Sequence, residues 1–342
     1  MYSRSSTALI KYVVLRSIML IITIFVAYSV SFLLIKLMPL DAVEYIVSQY
    51  ITSPAAQYQD PEVINSLKTG LHEIFGIGGS LFDQYRSFLI RLLRFDFGPS
   101  ITAFPTSVSE LLRNAIPWTV GLLSVTTIVS WIIGNILGVF VGYSKMQSSG
   151  TRILFAIALV LRPMPYYILA LILIFLFVYL IPVFPLPGGG VITYEFNLAT
   201  IVSMLYRLLL PALSLVIINI FGWWFLSSYS LTLNIINEDY YHYGELRGLK
   251  RYTLMRKYVL KNIMLPQVTT LGLSLGGIFG GSLITESIFA LPGLGTLLYR
   301  SIMTGDIITA LGVLTLSILA VSLATFILDI IYPFIDPRVR TR

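Results

Sequence analysis

The long runs of apolar residues fix the class of this chain before any motif is considered. One helical crossing of a bilayer needs about 20 consecutive apolar residues. Runs of that order recur at residues 17–37, 118–143, 153–180, 208–231, 267–288 and 307–331, with polar segments between them. They predict an all-α integral membrane protein with six transmembrane helices. The first run has no small-x-small cleavage site after it and reads as a retained helix, not a leader. Composition excludes the soluble classes: 56% of the 342 residues are hydrophobic and 11% are charged, against about 25% charged in a soluble domain.

Charge placement sets the expected topology. Arg4, Lys11 and Arg16 precede the first run, so the N-terminus is placed in the cytoplasm, and six crossings return the C-terminus there. The expected organisation is then 1–38 (N-terminus and first helix), 39–117 (a long extracytoplasmic region) and 118–342 (a core of five helices). Within the outer region, Ser53-Pro54, Asp60-Pro61 and the glycines at 76–79 are turn signals. Residues 82–95 form an amphipathic stretch with Arg86, Arg91 and Arg94, read as an interfacial helix. A second amphipathic stretch, 108–114, leads to Pro117 and the next helix. The net charge of +7 sits beside membrane spans, which fits anchoring at lipid and not nucleic-acid binding.

Chemistry-bearing constellations are missing from the sequence. It has no cysteine, and His72 and His242 are far apart without ligand spacing, so neither metal nor thiol chemistry is expected. No G-x-x-x-x-G-K-[ST] loop occurs, so the chain is not expected to bind ATP in that way, and no nucleophile–base set points to an enzyme. Inside the apolar runs, Gly134, Gly138 and Gly142 recur every fourth residue, a spacing that favours close helix packing. Gly272, Gly276, Gly277, Gly280 and Gly281 read the same way. Arg162-Pro163-Met164-Pro165 interrupts the third run. Arg162 has two readings there: it caps freed carbonyls or snorkels, or it faces a substrate path. Tyr166, Tyr167, Asn219 and Glu286 are the other candidates for that path. Glu286 and Asp329 lie near helix ends and no repeat relates the halves, which argues against an ion-coupled secondary transporter.

The charged segment 238–266 is the other departure from an apolar chain. Asn237 is expected to cap a short helix with Glu238 and Asp239 in its first turn. Gly248 is expected to end it in a left-handed conformation. A second helix is expected from Thr253, with Leu254, Met255, Tyr258, Val259 and Asn262 on one face and Arg256, Lys257 and Lys261 on the other. Pro266 would then open the next membrane helix.

Several of these segments carry a family likeness. Asp239, Tyr240, Gly248, Leu249, Asn262, Leu265 and Pro266 resemble the EAA loop of ABC importer permeases, in its dipeptide/oligopeptide form. Gly244, Glu245 and Arg247 depart from that pattern. Residues 34–41 resemble the family's L-x-R-L-x-P-G-D, 91–100 its G-D-L-G-x-S, 210–215 a shared L-P-A-L-S-L, and the turn at 185–190 its L-P-x-G-G. Glu286 to Phe289 followed by Leu291-Pro292-Gly293-Leu294-Gly295 is similar to its E-x-x-F-x-x-P-G-L-G, Gly305-Asp306 fits the polar turn after it, and 329–340 resembles its D-x-x-Y-x-x-x-D-P-R-x-R ending. The likeness covers nearly the whole chain.

The resemblance implies the type I (MetI-like) importer permease fold, located in the cell membrane. It implies a homologous second permease as heterodimer partner, two ATPase subunits that hold the ATP and magnesium, and an extracytoplasmic binding protein. The short helix 239–247 would be the coupling helix. Tyr240, Tyr241 and Leu246 would be its apolar anchors, Glu245 and Arg247 would set polar register, and Gly248 and Leu249 would follow as its hinge. Oligopeptides are the expected substrates, with oligosaccharides or nickel as alternatives.

Overall fold

A computed structural model describes residues 2–37, 42–51, 61–75, 80–144, 147–186 and 197–335. The motif residues 38–41, the turn signals at 53–54, 60 and 76–79, Lys145, the glycine turn 187–190 and the tail 336–340 lie outside the described residues. Among the described residues the protein is helical, and no strand longer than a single bridge occurs. The helices run in chain order as α1 (Tyr2–Leu37), α2 (Ala42–Ile51), α3 (Pro61–Phe75), α4 (Leu81–Leu93), α5 (Val108–Tyr143), α6 (Ser149–Leu161) and α7 (Tyr166–Ile174). There follow α8 (Leu198–Asn219), α9 (Phe225–Ile236), α10 (Asp239–Leu246), α11 (Arg251–Leu254) and α12 (Lys261–Gly277), then α13 (Leu283–Ile288), α14 (Leu294–Met303) and α15 (Ile307–Ile335). Short π segments extend α7 and join α8 to α9 and α11 to α12.

Five of the resulting stretches are long and apolar enough to cross a membrane: Lys11–Leu34, Val108–Tyr143, Val202–Ile236, Arg251–Gly280 and Ile307–Ile331. The sixth is a broken one, in which Ser149–Leu161 and Tyr166–Leu180 meet at 105°. Two prolines within four residues, at 163 and 165, explain the break, since each removes a backbone donor and disfavours a helical residue before it.

Three boundaries differ from those the sequence suggested. The expected break at Pro117 is absent, and α5 is one helix of 36 residues, about 54 Å long at 1.5 Å per residue. Proline costs a membrane helix one bond, which packing against neighbours offsets. For the same reason Pro266 lies inside α12 and does not open it. The run expected to be a single helix over 267–288 instead stops at Gly280, turns at Gly281 (φ +72°) and resumes as α13. A side chain at Gly281 would meet the backbone nitrogen of Gly295 at 2.6 Å, so the close approach of these two chain segments requires glycine on both counts.

Helix α5 is the axis of the fold. Its glycine ladder lies against the α8–α9 helix. A Cβ at Gly134 would come 2.5 Å from Trp224 Cβ, one at Gly142 would come 3.0 Å from Thr232 Cβ, and one at Gly138 would collide with the Phe225 carbonyl. The packing reading of these glycines therefore holds, since backbones approach this closely only without side chains. Buried polar pairs add register. Ser228 donates to Asn135, whose amide donates to the Trp131 carbonyl at 2.7 Å. Gly272 and Gly276 likewise face Leu328 and Ala324 of α15. Helix α1 joins the bundle through α15, where Arg16 pairs with Asp329 at 3.1 Å and Tyr12 donates to the Asp329 carbonyl. Helix α4, capped by Ser80 and Asp83, sits on α1 with Tyr85 and Phe88 against Phe32.

Candidate functional site

The coupling segment is built at the C-terminal end of α5. Asn237 does not cap α10. It is the C-cap of α9, with φ −95° and ψ 0°, and the extended Glu238 takes the N-cap place. Helix α9 continues to Ile236, five residues beyond its expected end, and so absorbs the asparagine. At the other end Gly248, at φ +70°, donates to the Glu245 carbonyl at 2.8 Å while Leu249 donates to that of Gly244 at 3.3 Å. This pair of reversed bonds is a Schellman cap, which needs a left-handed residue and hence glycine. The second helix begins at Arg251, two residues earlier than expected, and runs on into α12.

The helix presents its residues differently from the sequence reading. Tyr241, expected as an outward anchor, is 5% exposed and packs inward with Val139, Ile235, Leu254, Val259 and Ile263. Its position on the wheel puts it on the face that α10 lays against α5 and α11, and eight residues give that face only two turns. Its phenol donates to Tyr143 Oη at 3.1 Å, and Tyr143 Oη donates to the Arg251 carbonyl at 3.0 Å. The Arg251 guanidinium stands over the Tyr143 ring at 5.0 Å, a cation–π contact. Burial, then the Tyr143 contact, pushes the Tyr241 phenol up from its ordinary value, so it stays a donor.

The outward face carries Tyr240, Tyr243 and Leu246, with Leu246 86% exposed. Tyr243 was not singled out from the sequence, although it lies three residues from both Tyr240 and Leu246 and therefore on their face. Tyr240 stacks on Tyr258 at 6.2 Å, Arg247 stands over Tyr243 at 5.8 Å, and Glu245 pairs with His242 at 3.2 Å. Leu249 is half-buried against the same core as Tyr241. Gly244 lies close under Leu254, whose Cδ2 would be 2.7 Å from an added Cβ.

The N-terminal end of α5 holds two buried carboxylates. Glu286, expected in a substrate path, is 1% exposed and accepts from Thr119 Oγ1 at 2.8 Å, Ser282 N at 3.2 Å and Thr296 N at 3.1 Å. Thr119 in turn accepts from Leu294 N at 2.7 Å. The carboxylate thus clamps α13, α14 and α5 together and faces no path. Gly293 and Gly295 pack directly on it, which explains the glycines that follow it in sequence. Asp306 caps α15, accepting from Thr309 N at 3.1 Å and Thr309 Oγ1 at 2.8 Å. It also receives Ser100 Oγ, Thr102 N at 3.3 Å and Thr102 Oγ1 at 3.0 Å, so the loop before α5 is latched onto the turn before α15. Burial pushes this carboxyl up, but the hydrogen bonds from Ser100 and Thr309 outweigh it and hold it below the ordinary carboxylate value.

Arg162, Tyr166 and Tyr167 flank the break between α6 and α7. Arg162 ends α6 with its side chain exposed, and Tyr166 and Tyr167 open α7 with rings edge-to-face at 6.4 Å. The Arg162 backbone faces Gly222, three residues from Asn219. The guanidinium makes no hydrogen bond among the described residues, so it does not cap the carbonyls freed by the prolines.

A helical bundle of this kind, with a broken span, a helical handle at one end and a latched loop at the other, is a multi-pass membrane permease. The family model for the binding-protein-dependent transport system inner membrane component matches residues 134–341, and the chain belongs to that family. It is 30% identical over 333 residues to the oligopeptide transport system permease protein AppB of Bacillus subtilis, covering 96% of this chain and 98% of the relative. It is 28% identical to the oligopeptide transport system permease protein OppB of Haemophilus influenzae, covering 97% and 100%. A dipeptide transport system permease protein, DppB of Bacillus subtilis, is 25% identical over 333 residues, covering 96% and 98%. These likenesses do not favour the oligosaccharide, nickel or ion-coupled alternatives.

Proposed function

We propose that this chain is the permease subunit of an ATP-driven, binding-protein-dependent importer and that its substrates are peptides. The observation that carries the reading is α10. It is a short helix with Tyr240, Tyr243 and Leu246 facing outward, fastened on its other face to the end of α5 through Tyr241, Tyr143 and Arg251. A helix held this way transmits a push, and the chain has no phosphate-binding loop of its own to supply one. The ATP and magnesium belong to two separate ATPase subunits, each with a groove for such a helix. In that groove Tyr240, Tyr243 and Leu246 are the apolar contacts, and Asp239, Glu245 and Arg247 fix register. Gly248 and Leu249 set the angle to α11, so that closure of the ATPases rotates the bundle as a body.

The six basic residues of 238–266 support a cytoplasmic position for this end and for both termini. The latched end with the loop before α5 then faces the extracytoplasmic binding protein, and a homologous second permease completes the path. The relatives named for oligopeptide and dipeptide transport support peptides as cargo.

The test is uptake by the reconstituted complex of a labelled peptide, a maltooligosaccharide and nickel. Peptide uptake alone is the expected result. Gly248→Val strains a left-handed residue without a steric clash, because nothing lies within 4 Å of its added Cβ. It should abolish uptake while the protein still inserts, and unchanged uptake would refute the role of this helix.

A further inference from the structure

Arg162 is exposed, but its backbone lies level with the middle of a membrane-spanning helix. Ala158, one turn before it, is buried with Val141 and Phe225. The Arg162 backbone then meets Gly222, with 3.8 Å between the arginine Cα and a Cβ added at the glycine. Gly222 is at the middle of residues 208–237, a stretch without a charged side chain in a helix that spans the membrane by length and hydropathy. The break in the α6–α7 span therefore places an arginine near the centre of the apolar layer. A charge there is costly and as a rule faces a cavity or a partner of opposite sign.

Among the described residues the chain supplies no such partner. Helices α6, α7, α8 and α9 contain neither aspartate nor glutamate. An acidic element, α13, packs on α7 through Phe289 and Ile288, but its Glu286 is buried with three donors already bound to it. The guanidinium is exposed and makes no ion pair among the described residues. Four and five residues further on, across the break, stand the edge-to-face pair Tyr166 and Tyr167, and three residues before Gly222 is Asn219, half-buried and also without a side-chain hydrogen-bond partner among the described residues.

We propose that Arg162 is a specificity-determining residue of the translocation path, where it takes the C-terminal carboxylate of a passing peptide. A guanidinium matches a carboxylate with two parallel hydrogen bonds. Asn219 offers a neutral amide for the adjoining peptide group, and the two tyrosines give the apolar wall against which side chains of differing shape slide. This assignment rests on the peptide-importer reading above and adds to it the chemical group that is recognised.

The experiment compares uptake of one tripeptide as the free acid and as its C-terminal amide, using the reconstituted complex with wild-type, Arg162→Met and Arg162→Lys chains. Methionine is apolar and unbranched, so it inserts in a membrane helix at least as readily as arginine. The same binding protein serves all three complexes, so its own preference cancels in the ratio of acid to amide uptake. Wild type should favour the acid. Arg162→Met should lower that ratio by about tenfold or more, as expected when a bidentate charged contact is lost, with acid uptake falling further than amide uptake, and Arg162→Lys should retain part of the preference. An unchanged ratio in Arg162→Met overturns the proposal, as does an equal fall for both peptides, which would make Arg162 a contact to the second permease. Failure of the wild type to take up either peptide would remove the importer reading and this assignment together. Discrimination that is absent only from the variants' ratio leaves the importer reading intact and isolates Arg162.

Discussion

The two ends of α5 solve opposite problems with different residue types. At the N-terminal end, Glu286 and Asp306 are nearly inaccessible and surrounded by hydroxyl and backbone donors from five chain segments. A buried carboxylate persists only when its lone pairs are filled, and once filled it fixes every donor around it. At the C-terminal end the contacts are aromatic. Tyr143, Tyr241 and Arg251 share rings and single hydrogen bonds, and beyond them a helix of eight residues stands with its outer face bare. Such contacts are broad in geometry and tolerate small rotations. The first end is a set joint and the second a jointed handle, with Thr119 and Tyr143 about 36 Å apart along one helix.

The comparison breaks first at Glu286. Glu286→Leu strands the donors of Thr119, Ser282 and Thr296 in a buried site, at about 3 kcal/mol or more. Thermal melting in detergent should show it as the largest drop of the series, and a melting point close to wild type would mean that this end is not a rigid clamp.

Asp306→Asn keeps the shape and removes the charge, which should cost about 1–2 kcal/mol because its hydrogen bonds become neutral ones. Its pH dependence gives a sharper reading. The folded value lies below the ordinary 3.8, so the stabilisation is complete well above that value and fades as acid protonates the folded carboxyl. The gap in melting point between wild type and Asp306→Asn should therefore be constant at neutral pH and close below about pH 4. A gap that widened in acid would contradict the assignment.

Tyr241→Phe removes one hydroxyl from the chain of bonds to Tyr143 and Arg251 and should lower stability by about 1 kcal/mol. Its proposed effect on function is larger than its effect on stability: ATP hydrolysed per peptide imported should rise, and an unchanged ratio would show that the handle does not act through this contact. Leu246→Ala closes the series. At 86% exposure it should shift stability by no more than about 0.5 kcal/mol, yet weaken binding of the ATPase subunit in a pull-down from detergent. Loss of stability without loss of binding would reverse the roles given to the two faces of α10.

Much of this was legible in the chain. The spans, the break at Arg162-Pro163-Met164-Pro165, the packing glycines of α5 and the left-handed Gly248 all follow from local rules of length, proline geometry and side-chain size. The misreadings share a cause. Pro117 and Pro266 looked like helix starts, Asn237 like a cap and Tyr241 like an outward anchor, because each has that role when its own segment is considered alone. Neighbouring helices overrode those preferences by supplying packing that outweighs one missing backbone bond or one polar side chain. For Glu286, the glycines at 293 and 295 were a visible sign of a tightly packed turn, but nothing near it in sequence marked Thr119 as its partner.

By itself the sequence determined that this chain is a helical membrane protein, where it crosses, and which segment is charged enough to lie outside the apolar layer, because those properties depend on residues close together along the chain. The tertiary structure alone decided which face of α10 is buried, that Ser100 meets Asp306 across 206 residues, that Glu286 is a clamp, and that the Arg162 backbone stands beside Gly222 with no counterion among the described residues. Pairings of that kind depend on how whole helices pack, and no local pattern records which distant donor a buried carboxylate will find.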